Sequence, residues 1–153
     1  MGVENPLQIE PTVEFAILAD AVQASQGKLF ILGGGWDTLF VRSFPAQHHA
    51  LGIALRLRVP WAAAGTKLSL TIDLEDEDGT SILSGKKLRH DFVTRQPRGV
   101  PEGSDLGIVR AFTFNNVPLP SPGSYSFVIS VDDQELHRLR FFARSRQGPP
   151  AIT

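Results

Sequence analysis

Leu51-Gly52-Ile53-Ala54-Leu55-Arg56-Leu57-Arg58-Val59 is the stretch that decides the fold. In an extended chain Leu51, Ile53, Leu55, Leu57 and Val59 fall on one side, and Gly52, Ala54, Arg56 and Arg58 on the other. That is the pattern of an antiparallel strand with one buried and one wet face. The same period recurs further along the chain. Leu68, Leu70, Ile72 and Leu74 alternate with Ser69, Thr71, Asp73 and Glu75. Tyr125, Phe127, Ile129 and Val131 alternate with Ser124, Ser126, Val128 and Ser130. Three such segments predict sheet packed on sheet: an all-β, two-layer antiparallel β-sandwich, C2-like or immunoglobulin-like.

Outward from these segments, further strands are expected at Glu14–Gln23, Lys28–Gly33, Thr38–Ser43, Lys87–Thr94, Val109–Asn116 and Glu135–Arg144, for eight or nine in all. Phe15, Leu18, Ala19 and Val22 also fit one face of a helix. The turn Ser25-Gln26-Gly27 and the returning run Lys28–Leu32 favour a long hairpin instead. Asp132-Asp133-Gln134 predicts a second, C-terminal hairpin, with Leu139, Phe141 and Ala143 facing inward with His137. The 14 Gly and 11 Pro cluster between strands. One domain over residues 13–146 follows, with tails at 1–12 and 147–153; Arg95–Asp105 is the longest internal loop and a place where function can sit.

Composition narrows the chemistry. The 153 residues contain no cysteine, which removes disulfides, Cys-based zinc sites, iron–sulfur clusters and thiol catalysis. The net charge of −1 speaks against a nucleic-acid partner, and no apolar run approaches a membrane span. With a polar opening that is no secretory leader, a cytoplasmic protein is expected. Residues 1–80 hold five basic and ten acidic side chains, and residues 81–153 hold ten and six. Strands of opposite sign that become neighbours would cancel this asymmetry; otherwise it offers a route to head-to-tail self-association.

Each candidate site has a plain structural alternative. Gly33-Gly34-Gly35-Trp36-Asp37 could bring backbone N–H groups to a phosphate, but it lacks the Lys-Ser/Thr of a P-loop, so a strand-ending bend with Trp36 against the core is preferred. Asp76 and Asp78, with Asp132 and Asp133 from a second loop, could hold calcium as in a C2 domain; solvated turns are the alternative. Of His48, His49, His90 and His137, the adjacent pair diverges on a strand, and no Gly-x-Ser-x-Gly elbow is present. No cofactor and no catalysis are expected. Arg138 and Arg140 share a strand face with Phe142, and together with Arg98 in the long loop they form the candidate interaction surface. Cross-strand ion pairs are the alternative for the arginines, with Asp73 or Glu75 opposite Arg56 as one pairing. Val128 and Phe142 fall outward by parity and could make a small apolar patch.

Five stretches in order, Phe15–Asp20, Gly27-Lys28-Leu29, Gly33–Asp37, Val59-Pro60-Trp61 and Leu119–Tyr125, resemble a bacterial, actinobacterial-type family of small β-sandwich proteins classed as a domain of unknown function. The resemblance runs from about Phe15 to Phe142 and departs from the family at Ala62-Ala63-Ala64-Gly65, where a polar continuation is expected. It implies a β-sandwich and a bacterial intracellular setting, and no catalytic residues. The combined expectation is a non-enzymatic binding or structural module that works with a protein partner or a second copy of itself. A calcium- or small-ligand-binding module is the second reading.

Overall fold

The computed structural model describes residues 10–95 and 98–146. They form nine strands: β1 Thr12–Ser25, β2 Lys28–Gly34, β3 Thr38–Val41, β4 Ala46–Val59, β5 Lys67–Glu75, β6 Leu88–Val93, β7 Leu106–Leu119, β8 Gly123–Val131 and β9 Gln134–Ser145. A single 3-10 turn, Trp61–Ala63, joins β4 to β5. One sheet has the order β2-β1-β4-β7 and the other β3-β9-β8-β5-β6. The segment Phe15–Val22 is strand, because Phe15–Ala19 pairs with Arg56–Gly52 of β4 and the chain beyond pairs with β2.

The alternating residues build the core as the period requires. Leu51, Ile53, Leu55, Leu57 and Val59 of β4 meet Leu70, Ile72 and Leu74 of β5 and Phe127, Ile129 and Phe141 of β8 and β9, all of them fully buried. Phe127, Phe141 and Tyr125 form a stacked aromatic row, with Phe114 tilted against Phe127 at 5.0 Å. Alternation shifts within β7: Asn116 takes a positive φ (53°), and the buried positions pass from Phe114 to Val117 and Leu119.

The strand order is that of an immunoglobulin sandwich. β1-β4-β7 stand as strands A, B and E, and β9-β8-β5 as G, F and C. The corner between β7 and β8 carries the matching lock. Tyr125 is buried at the start of β8, and its hydroxyl donates to the Ser121 carbonyl and accepts from the Ser121 N–H. One pairing departs from the antiparallel expectation: the short edge strand β3 runs parallel to β9, Thr38 beside Phe142. Both hairpins use two-residue turns with positive φ at both positions, Gln26-Gly27 (52° and 72°) and Asp132-Asp133 (50° and 65°), the twist that suits paired strands.

β2 is the element that this frame does not require. No β2 residue belongs to the core or packs against it as a half-buried neighbour among the described residues. Past Ala19, β1 leaves β4 and carries the hairpin over the outer surface of its own sheet. Val22 lies against Gly52, where a Cβ would fall 2.5 Å from Val22 Cγ2. The hairpin tip, Ala24–Gly27, faces Gly107–Arg110 of β7 across a cleft of about 310 Å³. This explains why Gly52 and Ala54, expected on the wet side of β4, are buried.

Candidate interaction surface

The acidic residues proposed for calcium do not come together. Asp76 and Asp78 follow the C-terminal end of β5, whereas Asp132 accepts from the N–H of Ser69 near its start, with Asp133 beside it. Seven residues of extended chain separate the two ends, roughly 23 Å. The Asp76 carboxylate is already occupied, accepting from the N–H groups of Asp78 and Thr80 at 2.9 Å each, which organises the β5 turn. Among the described residues no three His, Asp or Glu side chains converge as metal ligands would.

The basic residues divide as well. Arg138 donates to Glu135 and, across β8, to Glu75, so it belongs to an ion-pair network. Glu135 is held below its usual pKa, chiefly by that hydrogen bond. Arg138 lies opposite Val128, which is only 8% exposed, so the expected outward Val128–Phe142 patch loses its first member. Arg140 and Phe142 are exposed on the same face of β9, with the Arg144 guanidinium 5.7 Å from the Phe142 ring. Arg98 is exposed in a turn after β6, a strand at the far edge of the sheet from β9. Gln96 and Pro97 of its loop lie outside the described residues, as does the tail 147–153.

Arg56 pairs with neither Asp73 nor Glu75, which lie in the opposite sheet; its partner is Glu14 of β1, at 2.7 Å. Arg56 and then Arg58 hold the Glu14 carboxyl below its ordinary pKa. Three ion pairs join the two halves: Arg138–Glu75 sets a base of the second half on an acid of the first, whereas Arg58–Asp105 and Lys67–Asp91 pair the minority charges of each half and leave the asymmetry in place.

The glycine run ends β2 as a bend. Gly33 has φ +65°, and the Asp20 carboxylate occupies the space its Cβ would take, which sets a negative charge where a phosphate would have to sit. Trp36 packs edge-on against Phe141 at 6.4 Å, and its indole N–H has no partner among the described residues. His90 lies at the rim between the sheets, stacked on Phe92 and accepting from Arg110 Nε at 3.2 Å. Desolvation first, then the Arg110 charge, push its pKa below 6.5, against the opposing pull of Asp91.

The surface that sequence reasoning passed over is β2. It is an edge strand whose Phe30, Ile31 and Leu32 are 56%, 37% and 71% exposed. With Ala21, Val22 and Gln23 of β1 they line an open groove of about 340 Å³. Consecutive large apolar residues on an unpaired sheet edge combine free backbone donors and acceptors with oily side chains, the two requirements for adding a strand. The available signal was the unbroken run Leu29–Leu32, which has no polar alternate and reads as a strand greasy on both sides.

A family model describing a family of unknown function, DUF6941, matches residues 14–144. The chain belongs to this family. For this DUF6941 protein no curated protein gives a match. Among solved structures it is similar to an alkylpurine DNA glycosylase of Pseudomonas fluorescens, bound to DNA containing an abasic-site analogue. The identity is 12% and the TM-score 0.41, covering 88% of this chain and 30% of the glycosylase chain. It is also similar to an immunoglobulin-like protein of Pseudomonas aeruginosa at 15% identity and TM-score 0.37, covering 88% of this chain and 97% of that one. The DUF6941 chain thus spans under a third of the glycosylase. No helix among its described residues is long and apolar enough to cross a membrane.

Proposed function

We propose that this DUF6941 protein is a non-enzymatic recognition module of the bacterial cytoplasm that binds a protein by adding a strand to the β2 edge. The observation that carries the reading is the exposure of Phe30, Ile31 and Leu32 on a strand that the sandwich does not need for its core. Folded chains usually blunt their edges with charge, proline or brevity, so an edge that is apolar through its middle, with its one charge at Lys28 on the end, points to pairing as its use. Backbone hydrogen bonds would supply affinity, and the groove beside Phe30, Ile31 and Leu32 would supply selectivity.

The test is a photo-crosslinking side chain placed at Leu32 in the producing cell, with Lys87 as the control position. Protein adducts are expected from position 32 and not from position 87. Absence of any adduct from position 32 removes the edge as the recognition surface.

A further inference from the structure

We infer that the β2 edge pairs with a second copy of this chain, antiparallel about a two-fold axis at Ile31, an inference that rests on the edge reading above. Of the four edge strands, three carry features that oppose pairing. β3 has four residues and is followed closely by Pro45. β6 exposes Arg89 and Asp91 in its middle. β7 is interrupted by the positive φ of Asn116 and by Pro118, and its other end faces the hairpin tip. β2 has its only charge, Lys28, at its first position.

The strand is also complementary to itself. A two-fold axis normal to a sheet sets identical residues opposite each other at its centre, and Ile31 is the middle of Lys28–Gly34. In that register all seven residues pair. Phe30 lies opposite the second copy's Leu32 twice, so the two most exposed apolar side chains of the strand cover one another. Charge selects the same direction. Lys28 marks one end, while the Asp20 carboxylate packed on Gly33 and the exposed Asp37 flank the other. Antiparallel pairing brings each basic end beside an acidic end, whereas parallel pairing would stack Lys28 on Lys28. The result is one continuous sheet, β7-β4-β1-β2 joined at β2 to its symmetry mate.

Because the chain has no cysteine, single-cysteine variants report the register directly. Ile31→Cys is expected to form a disulfide-linked dimer under mild oxidation. Lys28→Cys lies six residues from its own copy, about 20 Å, and is expected not to. Sedimentation gives an independent measure: the unmodified protein is expected to run as a dimer, and Leu32→Lys as a monomer that keeps the β-sheet circular dichroism of the unmodified protein and loses the dependence of its melting temperature on concentration. The inference is overturned by a monomer at high micromolar concentration, by a Leu32→Lys variant that stays dimeric, or by Lys28→Cys linking as readily as Ile31→Cys. A monomer whose position 32 still crosslinks to another protein sinks self-pairing alone; a monomer with no adduct sinks the edge reading too.

Discussion

Gly52→Ala tests how the β1–β2 hairpin is held over β4. The backbone there is ordinary extended strand, so replacing glycine would by itself stabilise by about 0.4–1 kcal/mol through the unfolded chain. The new methyl, however, falls 2.5 and 2.9 Å from the two Cγ atoms of Val22, a β-branched side chain with little rotamer freedom to move aside. Overpacking of this kind costs about 1–3 kcal/mol, so the clash outweighs the entropy gain and a net loss of roughly 1–2 kcal/mol is expected. Val22→Ala alone removes two half-buried methyl groups, about 1 kcal/mol. In that background the contacts at 2.5 and 2.9 Å are gone and only the Cβ of position 22, at 3.2 Å, stays close, so Gly52→Ala should become near neutral. Urea unfolding of the four proteins measures the cycle, with the m-value as a check on two-state behaviour. Additivity within ~0.5 kcal/mol, or a single Gly52→Ala that stabilises, would show that the hairpin does not lie on β4 as described.

Three further outcomes follow from the same geometry. Tyr125→Phe keeps the stack on Phe141 but deletes both hydrogen bonds to Ser121, for a loss of about 1–2 kcal/mol and a melting temperature lower by roughly 2–8 °C; an unchanged melt would remove the corner as a stabilising lock. Millimolar calcium should leave the melting temperature unchanged, since Asp76 and Asp78 lie at the other end of β5 from Asp132 and Asp133; an upward shift would contradict that separation. His90, whose folded pKa is depressed, contributes stability that is fully present above about pH 6.5 and lost as pH falls through the folded value. His90→Gln should flatten that part of the stability profile, and an imidazole NMR titration midpoint above 6.5 would refute the desolvated, Arg110-bonded environment.

The strands were legible where burial on one face imposes a period of two, as in Leu51–Val59, Leu68–Glu75 and Ser124–Val131. Turn chemistry was legible for the same local reason: Gln26-Gly27 and Asp132-Asp133 tolerate positive φ. What depends on distance through the fold was not. Asp76 and Asp132 look like neighbours in composition, but β5 holds them apart along its whole length. Val128 has the parity of an exposed residue, yet Arg138 reaches across β8 to Glu75 beside it. Gly52 and Ala54 occupy the outer face of β4, but the folded-back hairpin covers them. Leu29–Leu32 has no alternation to say which side is wet, and only the sheet order reveals that the run sits on an edge. The sandwich therefore follows from local pattern, while the candidate surface is a product of topology.

Amide hydrogen exchange along Lys28–Gly34 tests the central claim most directly, because β2 is an edge strand whose outer side pairs with no other strand among the described residues. Slow exchange of the outward-facing amides at associating concentration, becoming fast on dilution and in Leu32→Lys, is the expected result. Exchange that is fast and identical in all three conditions would contradict a pairing role for this edge.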